Sequence, residues 1–374
     1  MKILQINKMY YPWVGGIETV IKQLAEGING TDDFAVDVLA CNDKHITVKE
    51  SINGVHVTKA RSLFILFSMP VSVDFILFLK RLWKNHDLLH IHLPFPLATF
   101  ALWFTRPTNK IVITYHSDIV RQRVISTAIA WFDRWALNRA DKIIVSNPVI
   151  IETSKVLRNF KKKCIVVPFG VDLDIFKMDS EREKSVELIH KTYGEKIVLF
   201  VGRLVYYKGV DYLIKAMEDI DAKLIIIGEG PLKQYLTAYA YRIGLGGKVV
   251  FLPYLSQNEL VNFYYAASLF VLPSIYRSEA FGISIIEAMA CATPVVSTEL
   301  GTGTSYANQN NITGFVVRHK DSNELNKAIK KLLDNKILST SMGNACKKRI
   351  EALFTLKKML NEHKLIYKNV LSTK

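Results

Sequence analysis

The chain is poor in cysteine, lacks an uninterrupted apolar run of membrane-spanning length, and carries fewer acidic than basic residues. Its four cysteines, Cys41, Cys164, Cys291 and Cys346, lie far apart and match neither metal-ligand nor redox spacing. That excludes a disulfide scaffold and a zinc module, and reads as thiols in a reducing compartment. The longest apolar stretch, residues 63–79, is interrupted by Pro70 and Asp74, so a spanning helix is not expected. With Lys80, Arg81 and Lys84 behind it, the stretch reads as a helix, facing a membrane or an acceptor, or else buried in a core. The run Ile3 to Ile6 is too short for a signal peptide and leads straight into a Gly-Gly loop. Against 34 Asp and Glu stand 49 Lys and Arg, giving a net charge of +15 and a pI near 9.4. Such a bias serves solubility, an anionic membrane surface, an anionic substrate or nucleic acid. No nucleic-acid-binding signature accompanies it, which puts nucleic acid last.

A length of 374 residues exceeds one ordinary core and implies two domains. Hydrophobic residues at 49% and charged residues at 22% belong to a folded chain. A strand at 2–6, a glycine-containing loop and the helical pattern IETVIKQLAEGI open the chain as nucleotide-binding α/β domains open. A full G-x-G-x-x-G is missing, and Gly15 and Gly16 read either as a close approach to a ligand or as a tight turn. Strand-like runs follow at 34–40, 88–92, 111–115, 142–146 and 164–168, alternating with helical patterns, the longest at about 122–139. FGVDLDIFKMD (169–179) reads as a linker before a helix at 180–193. The rhythm then restarts with strands at 196–202, 222–228, 248–254, 268–273, 294–298 and 314–318. The expected fold class is α/β, with a parallel sheet and crossover helices used twice. The domains are expected at 1–172 and 173–354, and an amphipathic tail at about 355–374 packs back on the first or caps the second.

The strongest chemical signal is LPSIYRSEAFGISIIEAMA (272–290). A strand ends at Pro273, a polar loop follows, and a helix pattern begins near Gly282, so Glu279 and Glu287 straddle a helix N-terminus. Free N–H groups there favour a phosphate, and flanking carboxylates suit a hydroxyl-rich neighbour such as a sugar or ribose. Other chemistry-bearing residues also fall at carboxyl ends of strands, where open α/β sheets bind ligands. They are His116-Ser117-Asp118, Arg203 with Lys208, Gly228-Glu229-Gly230-Pro231, and Glu299 to Ser305. Two fixed cations beside a helix N-terminus suit a diphosphate and would stabilise charge growing on a departing phosphate. A glycosidase pair of glutamates is disfavoured, because a phosphate-binding helix end separates them. Asp172-Leu173-Asp174 has the D-x-D form of metal-dependent transferases but lies in the linker, so no metal is expected.

The motif E-x7-E, here Glu279 to Glu287 followed by AMACATPVV, with GRLVYYKG (202–209) upstream, resembles the retaining glycosyltransferases of family 4. The resemblance covers nearly the whole chain and implies the GT-B fold, two Rossmann-like domains facing each other across a donor-binding cleft. It implies metal-independent transfer from a nucleotide-diphosphate sugar as co-substrate, with no cofactor and with retention at the anomeric carbon. By resemblance, His116 sits beside the transferred sugar and Glu279 contacts its hydroxyls, as a binding and electrostatic residue rather than a nucleophile. Arg203 and Lys208 would grip the diphosphate, and Glu287 the ribose. Gly15, Gly16, Gly228, Gly230, Pro253, Phe281, Gly282 and Ile283 would complete the donor site.

Three further stretches, 10–27, 114–123 and 299–317, are similar to bacterial O-antigen and exopolysaccharide transferases that use GDP-mannose or GDP-rhamnose. They imply mannose from GDP-mannose as donor, with Ser117, Asp118 and Arg121 on the acceptor side. The acceptor would be a polyprenyl-diphosphate-linked glycan at the inner face of the cytoplasmic membrane. Peripheral attachment there fits the positive charge, with Arg121, Arg123, Lys161 to Lys163 and residues 63–84 as contacts. The competing readings are a UDP-sugar transferase of the same family, a sugar-nucleotide 2-epimerase of the same fold, and a non-catalytic nucleotide-sugar-binding protein.

Overall fold

A computed structural model describes residues 1–13, 15–66, 69–118 and 126–373. It divides into unit 1, Met1–Phe169 with Lys357–Lys374, and unit 2, Gly170–Leu356. Unit 1 opens with β1 (Lys2–Ile6), α1 (Gly16–Ile28), β2 (Ala35–Cys41), β3 (Val48–Ile52) and β4 (Val55–Ala60). A hairpin of β5 (Phe64–Leu66) and β6 (Met69–Val71) precedes α2 (Val73–Leu82). Then come β7 (Leu88–Leu93), α3 (Pro96–Thr105), β8 (Lys110–Tyr115), α4 (Ser126–Arg139), β9 (Lys142–Val145), α5 (Pro148–Thr153) and β10 (Cys164–Val166). The main sheet runs β10-β9-β8-β7-β1-β2-β4-β3, with only the β3/β4 edge pair antiparallel. β7 is buried at every position, as an interior strand covered on both faces must be.

Residues 63–79 do not form the single helix that the apolar run suggested. Pro70 sits in a two-stranded hairpin, where a missing N–H is tolerated. Ser72 then starts a new helix by accepting the Phe75 N–H at 3.0 Å.

Unit 2 contains α6 (Ser180–Tyr193), β11 (Ile197–Val201), α7 (Val210–Ala216), β12 (Lys223–Ile227), α8 (Lys233–Arg242) and β13 (Val249–Leu252). It continues through α9 (Gln257–Ala266), β14 (Leu269–Leu272), α10 (Ile283–Ala290), β15 (Val295–Glu299) and α11 (Gly303–Ala307). It closes with β16 (Gly314–Arg318), α12 (Ser322–Leu333) and α13 (Lys336–Leu353). The sheet, β13-β12-β11-β14-β15-β16, is parallel throughout. The stretch 169–179 is less free than a linker. Val171 bridges to Thr355, and buried Phe176 accepts the Tyr265 hydroxyl through its carbonyl. Finally α14 (Leu356–Ser372) packs in unit 1, where a Cβ on Gly27 would press on Leu360 and Lys364 pairs with Asp32 at 2.8 Å.

Among its parallel strands each sheet reverses its order once, between β7 and β1 in unit 1 and between β11 and β14 in unit 2. Loops leaving the carboxyl ends on either side of such a reversal diverge and open a crevice. The loops after β1, β11 and β14 carry Gly15, Arg203, Lys208, Glu279, Phe281 and Gly282, whereas His116, Ser117 and Asp118 follow β8, and Gly228, Gly230 and Pro253 follow β12 and β13.

Candidate active site

In unit 2 the loops after β11 and β14 are sewn together. Gly209 ends the first loop with φ +62°, and a Cβ there would lie 2.4 Å from the Pro273 carbonyl oxygen. The Ile275 N–H donates to the Tyr207 carbonyl at 2.8 Å. This seam brings Lys208 Nζ within 2.6 Å of Glu279 Oε2, and both side chains are buried. The Ser274 hydroxyl donates to the same carboxylate oxygen at 2.9 Å, and Thr298 donates to the Ser274 carbonyl. Burial opposes the charge on Lys208, but Glu279 and Tyr207 outweigh it and the pKa is raised. Lys208 is thus held as an ammonium, a fixed cation in a water-poor site.

Beyond Glu279 the chain enters α10 through Gly282 at φ +81°, where a Cβ would collide with Leu272. No side chain caps this helix, so its first N–H groups, Ile283 among them, keep their capacity for an anion. The Phe281 ring packs edge-on to Phe354. Glu287 is partly exposed and accepts the Tyr264 hydroxyl at 2.8 Å. Burial raises its pKa, against the hydrogen bonds from Tyr264 and Gln257. Arg203 and Pro253 are exposed at the ends of β11 and β13.

Gly228 and Gly230 have a reason other than ligand approach. Cβ atoms on them would lie 2.2 Å from the Gly202 carbonyl oxygen and 2.4 Å from that of Leu204. They are glycines because the loop after β12 packs its backbone on the loop after β11.

In unit 1, His116 follows β8 and is buried, with Nε2 3.1 Å from His92 Nδ1 and its ring 5.6 Å from that of Phe169. Among the described residues its Nδ1 has no hydrogen-bond partner. Burial, with a further push from His363, lowers its pKa to about 3, so it is neutral at physiological pH. Ser117 is partly exposed. Asp118 is committed to the framework of its own unit: it accepts from Tyr115 Oη at 2.8 Å and from Ser154 Oγ at 2.6 Å. Arg121 and Arg123 lie outside the described residues. Gly15 precedes α1, which starts at Gly16, and a Cβ on Gly15 would lie 2.4 Å from Glu18 Oε2. The small residue leaves room for an acid folded back on the helix start.

Two of the lysines named as candidate membrane contacts also make contacts within unit 1. Lys161 pairs with Glu152 at 2.7 Å, and Lys163 donates to the carbonyls of Asn138 and Ala140 at the end of α4. Asp174 pairs with Lys177 at 2.6 Å. Among the described residues no group of three or more His, Cys, Asp or Glu is placed to hold a metal ion, and no helix is long and apolar enough to cross a membrane.

Residues 14–175 match the family described as Glycosyltransferase Family 4, and residues 181–349 match Glycosyl transferases group 1. The chain is 33% identical over 375 residues to O-antigen chain mannosyltransferase C of Escherichia coli, covering 100% of both. The chain belongs to glycosyltransferase family 4. A second relative of this glycosyltransferase, D-rhamnosyltransferase WbpZ of Pseudomonas aeruginosa, is 33% identical, over 95% of this chain and 92% of that one. Its GT-B fold is shared with sucrose-phosphate synthase from Thermosynechococcus elongatus, at a TM-score of 0.83, 21% identity and 100% of both chains. Anabaena HepE in complex with UDP-glucose gives a TM-score of 0.80 at 17% identity, over 99% of this chain and 100% of that one.

Several residues of the candidate site escaped the sequence reading. Ser274 had a signal, being the first polar residue after β14 at the carboxyl end of the sheet. Tyr264 had none, because it lies on α9 and meets Glu287 only through tertiary packing. His90 and His92 did carry one: two histidines at i and i+2 put polar rings on one face of an otherwise apolar interior strand.

Proposed function

We propose that this glycosyltransferase moves mannose from GDP-mannose, with retention and without a metal, onto a polyprenyl-diphosphate-linked glycan in O-antigen assembly. The mannosyl and rhamnosyl relatives over almost the full length support the sugar and the process. The observation that carries the mechanism is the buried trio Lys208, Glu279 and Ser274 in the loops after β11 and β14. As the bond from the anomeric carbon to the diphosphate oxygen breaks, negative charge grows on phosphate. A fixed ammonium and the uncapped N–H groups of α10 stabilise it where it forms, and Arg203 adds a second cation. Glu279 already accepts an ammonium and a hydroxyl on one oxygen, which suits orientation and sugar binding better than nucleophilic attack. Glu287 takes the ribose, and His116 contacts the transferred sugar.

Incubation with GDP-mannose and a lipid-linked acceptor in the presence of EDTA should give an α-linked product. Loss of all activity on chelation would overturn the metal-independent mechanism. A melting-temperature panel of GDP-, UDP- and ADP-sugars tests the donor, since a ligand bound only by the folded state raises the transition. A shift with UDP-sugars alone would favour the UDP-dependent alternative. NMR of the donor alone separates the epimerase reading, which requires inversion at C2 without acceptor.

Attachment to the inner membrane face is part of the same proposal. Exposed Leu63, Phe64 and Ile65 at the hairpin and Val73 and Leu77 on α2, with Lys80 and Arg81 in its last turn, form an apolar and basic surface. Binding to anionic vesicles should weaken as salt rises, and salt-insensitive binding would contradict the electrostatic part of the account.

A further inference from the structure

Unit 1 buries a chain of polar groups of which the transfer reaction uses only one end. Gln5 comes from β1, His90 and His92 from β7, Thr114 and His116 from β8 and the residue after it, and Tyr367 from α14. All six are buried. Their hydrogen-bond directions follow from one atom. His92 Nε2 lies 2.7 Å from Gln5 Oε1, and a carbonyl oxygen only accepts, so His92 carries its proton on Nε2. Its Nδ1 is then a bare acceptor, and His116 Nε2, 3.1 Å away, must donate to it. On the other side of Gln5, Nε2 donates to Tyr367 Oη at 3.1 Å. The Tyr367 hydroxyl donates to His90 Nδ1 at 2.6 Å, and His90 Nε2 donates to Thr114 Oγ1 at 2.7 Å. Every link donates in the same sense, from His116 toward Thr114.

A chain of this kind has two self-consistent directions and no mixed one. Turning the Gln5 amide over would reverse all five links and put a proton on His116 Nδ1. In the direction observed, that nitrogen is a buried acceptor with no partner among the described residues. Buried polar atoms are nearly always satisfied, so an orphan at the carboxyl end of a parallel sheet, where such folds bind ligands, marks a place for a ligand atom. A hydroxyl can donate to it, whereas an unprotonated phosphate oxygen cannot.

We propose that Gln5, His92, Tyr367 and His90 are positioning residues that hold His116 with its proton on Nε2, so that Nδ1 receives a hydroxyl of the substrate. This rests on the reading that His116 contacts the transferred sugar. Burial of the four histidines of this region, His363 included, keeps them neutral, which removes the doubly protonated form that would erase the direction. The chain also gives α14 a role in the site: its Tyr367 reaches Gln5 and His90 from the far end of the sequence.

The full-length chain labelled with 15N-histidine gives the test. Long-range proton–nitrogen spectra at pH 7 should show His116 and His92 as neutral Nε2–H tautomers, with His116→Gln used to identify the His116 signals. A His116 that is Nδ1-protonated or doubly protonated overturns the proposal. No substrate is needed, so this result stands apart from any failure of the sugar-transfer reading. Tyr367→Phe keeps the ring and removes the link. It should mix the two tautomers at His116 and lower kcat about tenfold, the size of one net hydrogen bond, with KM for the nucleotide sugar within about twofold. A Tyr367→Phe enzyme with a wild-type spectrum or wild-type kcat overturns the positioning role.

Discussion

Beside the strand-order reversal of unit 1 stands a neutral histidine hydrogen-bonded to a second one, and beside that of unit 2 stands an ammonium paired with a carboxylate. The two sheets share a parallel architecture, and both sites bury polar groups that water would otherwise solvate. Unit 1 meets the desolvation penalty by neutrality: its histidines give up their protons and satisfy each other in a chain. Unit 2 meets it by pairing, which keeps full charges in place. Neutral acceptors suit hydroxyls, whereas fixed charges suit a diphosphate whose charge grows during reaction. On the proposed reading, the division of chemistry between the two units follows from how each offsets the cost of burial.

Acid should break the comparison most severely. His90, His92, His116 and His363 all have pKa values depressed in the fold. Below an unfolded value near 6.5 the unfolded chain therefore binds protons that the folded unit refuses. Their contribution is full above about pH 6.5 and is lost as pH falls toward the folded values. The loss approaches about 1.4 kcal/mol per pH unit for each histidine. All five tryptophans, Trp13, Trp83, Trp103, Trp131 and Trp135, lie in unit 1, so tryptophan fluorescence reports on that unit. Its urea midpoint should drop steeply between pH 6.5 and pH 5. A level midpoint over that range would mean the histidines are not buried neutral.

The next effect is in unit 2. Glu279→Gln leaves Lys208 as a buried charge without its partner, and Lys208→Met does the reverse. Each should destabilise by about 3 kcal/mol and lower the transfer rate at least about 100-fold. The double variant should recover most of the urea midpoint and none of the rate. Recovery of both would show that the pair is structural, and recovery of neither would show that the two residues act separately.

The same comparison explains what was legible in the sequence. Strand rhythm made most parallel strands of both units legible, because interior parallel strands must be apolar throughout and their loops must not. The largely exposed β3 and its antiparallel partner β4 carry no such signal. Lys208 and Glu279 were readable because charge just past a strand terminus is conspicuous, and Glu287 because it falls in the helix that follows Glu279. The pairing of Lys208 with Glu279 was not, since it depends on two loops 64 and more residues apart being sewn at Gly209 and Ile275. The histidine chain was hidden for a different reason. Its members come from β1, β7, β8 and α14, and only the i, i+2 pair His90 and His92 stands out locally. Residues 63–79 misled because hydrophobicity alone cannot tell a hairpin from a helix, and Ser72 as a cap settles it.

A smaller effect probes the second glutamate. Tyr264→Phe removes the hydroxyl donated to Glu287, a hydrogen bond that holds its carboxylate against burial. The pKa of Glu287 should rise further and stability fall by about 1 kcal/mol. If Glu287 holds the ribose, KM for the nucleotide sugar should rise a few-fold with kcat little changed. A change in kcat alone would move Glu287 out of ground-state binding.

The smallest effect runs opposite in sign to the histidines and lies in the same unit. Asp133 on α4 is partly buried, accepts the Thr99 hydroxyl at 2.9 Å, and has its pKa pushed up to about 6 by burial, against that hydrogen bond. The fold therefore keeps a proton that the unfolded chain releases near pH 4. This contribution is full below about pH 4 and is lost as pH rises through 6, so at pH 8 an ionised Asp133 weighs against folding. Asp133→Asn retains an acceptor for Thr99 and removes the charge. It should raise the fluorescence-detected stability of unit 1 at pH 8 by about 1 kcal/mol, allowing for partial solvent screening, and by clearly less at pH 5.5. An equal gain at both values would point to packing instead. A loss at pH 8 would mean that the carboxylate is stabilised by its surroundings, and that unit 1 tolerates buried charge better than its histidines suggest.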